Sequence, residues 1–128
     1  FRNELVDFLV AYKKLHLLCI DIFQFDNGQE LLNSKELFDI VFLDYQMPGI
    51  DGLDTARKLR ERNSVCSIVF ITNYPDFVYD SFEVNPYRFF PKPVSHEKLD
   101  SLMNSFIAHQ KLLSPIIVIN NKERTVVE

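Results

Sequence analysis

Residues Asp39–Gly52 read DIVFLDYQMPGIDG. The run from Ile40 to Leu43 is apolar without alternation and stops at a carboxylate, Asp44. A strand that is apolar at every position is covered on both faces, as in a parallel sheet flanked by helices. Pro48-Gly49 and Asp51-Gly52 then turn the chain tightly. The stretch therefore predicts a buried strand that delivers an acid to the edge of a core.

Working outward, helical and strand patterns alternate. FRNELVDFLVAYKKL (1–15) has Phe1, Leu5, Phe8 or Leu9, Tyr12 and Leu15 at helical spacing, with Arg2, Glu4, Asp7, Lys13 and Lys14 on the other face. It starts without Met or an N-cap and reads as cut short. CIDIFQF (19–25) predicts a strand and QELLNS (29–34) a short helix. Leu53 to about Asn63 predicts a surface helix, and CSIVFIT (66–72) a second continuous apolar strand. Pro75 opens a helix carrying Phe77, Val78, Ser81 and Phe82 inward. YRFFPKP (87–93) predicts a strand whose prolines place it at an edge. Ser95 caps a last helix with a stripe of Leu99, Leu102, Met103, Phe106 and Ile107. Such alternation predicts an α/β fold with a doubly wound parallel sheet.

The totals agree with one domain. The chain has 128 residues, is 47% hydrophobic and 25% charged, and carries a net charge of −4. That charge argues against this chain alone binding nucleic acid. Cys19 and Cys66 lie in apolar stretches and read as buried free thiols in a reducing cytoplasm. No apolar run reaches the roughly 20 residues that span a bilayer, and no signal peptide is visible.

In such a fold the site lies at the carboxyl ends of the strands. Here those ends are Asp44, Thr72 and Lys92. A carboxylate can be a nucleophile or a metal ligand. Lysine can pair with a phosphoryl oxygen and threonine can donate to another. Mg²⁺ suits oxygen ligands of this kind. Taken singly, each residue has an ordinary reading: a turn acid, a β-former, a solvated lysine. Their occurrence at three strand ends makes those readings poor.

These residues resemble the response-regulator receiver domain of two-component signalling. The resemblance spans nearly Phe1 to Leu113, so residues 1–113 are read as the receiver domain. DYQMPGIDG (44–52) is similar to the family's D-x-x-M-P-x-x-D-G pattern, with Asp44 as phosphoacceptor. The resemblance implies a flavodoxin-like sheet, Thr72 and Phe89 as switch residues, and a cis Lys92-Pro93 peptide. It also implies Mg²⁺ held by Asp44 and the Gln46 carbonyl, a histidine kinase as partner, and a cytoplasmic location. YPDFVYDSFEVNPYRFFPKPVSHEKL resembles receivers that precede a LytTR-type DNA-binding domain, and residues 114–128 are read as a linker and the start of such an output domain. DNA would be contacted only through that domain. Family practice also implies a homodimer through the Pro75 helix, the last strand and the last helix. Asp76, Asp80, Glu83, Arg88, Lys98 and Lys111 supply its charges.

Two features depart from the pattern. The family's first strand, with its acidic pair, is not found, and Asn73 follows the switch hydroxyl where many receivers have Ala or Gly. The leading expectation is a phosphoacceptor that assists its own phosphorylation and dephosphorylation without being an enzyme. The alternative is a degenerate receiver that only dimerises or docks a partner. An aspartate-nucleophile phosphatase is a poorer match, because its second acid would fall at Gln46. For IIVINN (116–121) the expectation is the opening of a hairpin with RTVV. The competing reading places it in the empty first-strand slot, with Asn120-Asn121 where the acidic pair would be.

Overall fold

Strand β2 (Ile40–Asp44) is buried at every position, and the layering explains why. In the computed structural model, which describes residues 2–45, 51–62, 65–73, 80–109, 116–119 and 126–127, Ile40 and Phe42 face one core cluster and Val41 and Leu43 the other. Strand β3 (Ser67–Thr72) divides in the same way: Val69 and Ile71 point to the first cluster, Ile68 and Phe70 to the second. Helix α1 (Arg2–Leu15) closes the first with Leu5, Leu9 and Tyr12, helped by Leu99, Leu102, Met103 and Phe106 of α4 (His96–His109). Helices α2 (Gly28–Asn33) and α3 (Gly52–Arg62) close the second with Leu31, Leu53, Ala56 and Leu59. A two-sided core of this kind needs the unbroken apolar runs seen in the sequence.

With β1 (Ile22–Phe25), β4 (Arg88–Pro91), β5 (Ile116–Ile119) and β6 (Val126–Val127), the sheet order is β4-β3-β2-β5-β1-β6. The α/β class and the edge position of β4 are as expected. The place of β5 is not. It runs parallel to both β1 and β2, with Ile117 opposite Phe23 on one side and Val41 on the other. Residues 116–119 thus fill the first-strand slot, and the hairpin expectation is corrected. Val126 and Val127 pair antiparallel with β1 instead of with β5. The physical reason is hydrogen-bond satisfaction. One strand in the slot pairs the inner edges of β1 and β2 together, whereas a separate hairpin satisfies only itself. Asn120-Asn121 lie outside the described residues.

Local signals set the helix ends. The Asn27 side chain accepts from Glu30 N at 2.9 Å, while Glu30 Oε2 accepts from Asp26 N at 3.0 Å, a reciprocal cap on α2. Asp51 Oδ1 accepts from Asp54 N at 2.8 Å and opens α3. Ser95 Oγ accepts from Lys98 N at 3.2 Å and opens α4 as expected. The end of α1 is less comfortable. Leu18 N donates to Lys13 O at 2.8 Å and Leu17 N to Lys14 O at 3.3 Å, with Leu17 at φ 53°. That is the Schellman geometry, which favours glycine at this position. Leu17 is also 91% exposed. Leu17→Gly should therefore raise stability by about 1 kcal/mol, seen as a higher urea midpoint at unchanged slope. A lower midpoint would contradict the strained-turn account.

Several sequence expectations are corrected at this level. Leu15 is exposed and Lys13 is buried, because Lys13 folds back to donate from Nζ to Ile20 O at 3.2 Å. Cys19 is exposed and only Cys66 is buried. Residues 18–21 link α1 to β1, so the strand starts at Ile22 and not at Cys19. Phe82 is exposed, since residues 82–84 form a 3-10 turn in place of a continuing helix face, while Ser81 is buried as expected. The Pro75 start of that helix, with Asp76, Phe77 and Val78, lies outside the described residues. So does Lys111.

At the foot of β2, burial pushes the Asp39 carboxyl above its ordinary value. The folded chain then holds the Asp39 proton more tightly than the unfolded chain does. Its contribution to stability is complete below the ordinary carboxylate range and is lost as pH rises through the folded value. Asp39→Asn should accordingly raise the melting temperature at pH 7, and the gain should shrink toward pH 4. Equal gains at both pH values would rule the linkage out.

Candidate functional site

Parallel strands in register bring their carboxyl ends to one pole. Asp44 ends β2 opposite Ile71, Thr72 ends β3 opposite Pro91, and Lys92 follows directly. The three residues singled out in the sequence are therefore neighbours. Lys92 Nζ donates to Asp44 Oδ2 at 2.5 Å, and Lys92 N donates to Thr72 O at 3.2 Å. The Lys92-Pro93 peptide is cis.

The Asp44 side chain is 11% exposed and that of Lys92 is 24% exposed. Water screens such a pair less than it would a fully exposed one, so the attraction is stronger than at the surface. Thr72 is buried and ends β3 at the same pole. Phe89 is half-buried on β4, its ring 6.3 Å from that of Phe70 and packed against the α2–α3 core cluster. Thr72 and Phe89 therefore belong to two adjacent strands, one ending at the site and the other leading to Lys92.

Gly52 explains part of the tight turn in the opening stretch. A Cβ there would come within 2.6 Å of Asp44 O and 2.9 Å of Tyr45 Cα. Only glycine lets the start of α3 pack this closely on the end of β2, where Gly52 N donates to Tyr45 O at 2.9 Å. Gln46 and Pro48-Gly49 lie outside the described residues.

Beside the pair is a recess of about 330 Å³ whose walls include Glu4, Leu5, Asn73, Lys92, Pro93 and His96. Asn73 thus lines the same recess as Lys92. Glu4 and His96 were not foreseen. No local pattern marks them, because they come from the start of α1 and the start of α4 and meet only in the fold.

Asp44 offers a hard oxygen of the kind magnesium takes, and magnesium keeps several waters or substrate oxygens. Among the described residues no three His, Cys, Asp or Glu side chains converge. The donor set fits a cation held by one carboxylate together with water and phosphoryl oxygens, not by an all-protein cage.

The comparisons with known proteins agree with this geometry. The family model of the response regulator receiver domain matches residues 10–104. Sensory transduction protein LytT of Oceanobacillus iheyensis is 30% identical over 136 residues, covering 98% of this chain and 54% of LytT. The positive alginate biosynthesis regulatory protein of Pseudomonas aeruginosa is 39% identical over 75 residues, 57% of this chain and 30% of that protein. The chain thus spans about half or less of the length of these relatives. Among solved structures, the BeF3-activated DrrB receiver domain superposes with TM-score 0.60 at 25% identity, over 65% of this chain and 73% of that one. TrrA from Thermotoga maritima, in complex with Mg(2+)-BeF, gives TM-score 0.56 at 28% identity, over 62% and 71%.

Proposed function

The chain belongs to the response regulator receiver family, and from that premise we propose that it is a phosphoacceptor, taking a phosphoryl group on Asp44 from a histidine kinase. The observation that carries the reading is the Lys92–Asp44 pair at the carboxyl pole, with Thr72 at the adjoining strand end. An Asp44 oxygen attacks phosphorus in line. The new O–P bond forms as the P–N bond to the donor imidazole breaks, and the imidazole nitrogen keeps the electron pair. Lys92 is already within reach of the carboxylate and turns its charge to a phosphoryl oxygen as negative charge accumulates there. Thr72 donates to another oxygen. Asp44 and the Gln46 carbonyl would hold Mg²⁺, which would supply positive charge against the remaining oxygens.

In this reading the chain is a signalling switch and not a turnover enzyme, though its own residues assist both gain and loss of the phosphoryl group. Thr72 moves toward the phosphoryl group and Phe89 follows. A C-terminal output domain reads the change, contacts DNA and regulates transcription. The LytT match supports this, because it reaches into residues 114–128 and covers only 54% of LytT. Residues 116–119 and 126–127 of that stretch are nonetheless strands of the receiver sheet. In this reading the chain works in the cytoplasm, where a two-component histidine kinase presents its phosphoryl group. A homodimer uses the β4–α4 face, where Arg88 and Lys98 border a small recess. Glu83, one of the acids assigned to that dimer, is engaged instead by Arg57 of the same chain.

The test is incubation with a small phosphodonor and Mg²⁺, followed by intact-mass measurement. A gain of one phosphoryl group per chain is expected. A chain that gains none acts as the degenerate docking module.

A further inference from the structure

Resting on the phosphoacceptor reading, we propose that Arg57 and Arg60 of α3 are positioning residues that latch the 82–85 turn, and that this latch sets how readily the β4 face moves when Asp44 is modified. Arg60 ties two segments to one helix. Its Nε donates to Val84 O at 2.7 Å and its Nη2 to Asn85 O at 3.0 Å, while Nη1 donates to Cys66 O at 2.5 Å. The first two carbonyls belong to the turn before β4, the third to the foot of β3. One turn earlier, Arg57 pairs with Glu83 of the same turn and with Asp54 of its own helix at 2.9 Å. The planar fork of arginine makes such a two-segment clasp possible, whereas the single nitrogen of lysine cannot span it.

The place of the latch gives it a consequence. Asn85 closes the turn at φ 51°, with its N–H on Phe82 O at 3.0 Å. Tyr87 N then bonds Ile68 O at 2.7 Å, and β4 carries Phe89 and Lys92 onward. Any shift of Phe89 must be absorbed between Lys92 and the latched Asn85, or else release the latch. The other end of α3 is pinned to the site itself through Gly52 N and Tyr45 O. One helix therefore touches both the acceptor strand and the turn that limits the switch.

The outer half of the latch can be changed without threatening the fold. Arg57 and Glu83 are about half exposed (47% and 50%), and exposed pairs add little to stability. Beryllofluoride with excess Mg²⁺ serves as the probe, titrated into the 128-residue chain and followed by the amide resonance of Phe89. If the latch favours the resting position, weakening it raises the responsive fraction and lowers the apparent dissociation constant. Glu83→Gln and Arg57→Gln should each lower it about two- to fivefold, with a urea midpoint lowered by no more than the equivalent of that same free energy and an unchanged slope. The double variant should match either single one, because both remove the same pair. Arg60→Lys should shift the constant the same way; should it fail to fold, the Glu83 and Arg57 variants decide. Unchanged or weaker binding in those variants, or effects that add, overturns the latch. A wild-type chain that ignores the probe overturns the phosphoacceptor reading and the coupling with it, so the two failures are told apart by the wild-type titration.

Discussion

The Asp44→Asn chain, given a small phosphodonor and Mg²⁺, is expected to gain no mass, whereas the wild-type chain should gain one phosphoryl group. The asparagine amide oxygen carries no charge and cannot take phosphorus from a donor at neutral pH, so the loss should be complete and not graded. The fold is expected to survive. The amide oxygen can still accept from Lys92 Nζ, which donates to the Asp44 carboxylate at 2.5 Å in the native chain. A retained cooperative urea transition would separate lost chemistry from lost structure. A mass gain that persists in Asp44→Asn would mean that another side chain is modified, and the site described above would be wrong. Lys92→Met should act differently. It leaves the nucleophile in place but strips the nearby charge, so phosphorylation should slow and not vanish. Losing the ammonium beside the Asp44 carboxylate should also lower the urea midpoint.

Truncation after Leu113 should abolish cooperative folding of this 128-residue chain. β5 is hydrogen-bonded along Ile116–Ile119 to β1 on one side and β2 on the other. Without it, two inner strand edges lose their partners and β1 loses its link to the rest of the sheet. β6, which covers the outer edge of β1, goes as well. Near-native secondary structure without a sharp urea transition, or an unfolded chain, is the expected result by circular dichroism. Restoring the segment as a separate peptide should recover the transition if strand pairing is the cause. A truncated chain that unfolds as sharply as the full one would show that β5 is dispensable and that the slot is not structurally required.

The outcome at β5 shows where sequence reading stops. The alternation of helices and strands was legible because Ile40–Leu43 and Ile68–Ile71 are unbroken apolar runs, and only a sheet covered on both faces asks for that. The site was legible for a related reason. In a parallel sheet, chemistry gathers where strands end, and Asp44, Thr72 and Lys92 are at three strand ends in succession. Position along the chain was enough to find them. The Ser95 cap was legible too, since it acts on a residue only three positions away.

What the sequence determined by itself was therefore whatever depends on neighbours in the chain: periodicity, caps, edge prolines and the strand-end triad. The tertiary structure decided what depends on distant partners. IIVI is equally apolar as a hairpin arm or as an inner strand, and only the unpaired edges of β1 and β2 distinguish the two. Lys13 carries the same charge on either face of α1, and only Ile20 O draws it inward. Arg60 looks like any surface arginine until Cys66, Val84 and Asn85 present their carbonyls to it. In each case a hydrogen-bonding group must be satisfied by something remote in sequence, and the chain's geometry, not its local pattern, supplies the partner.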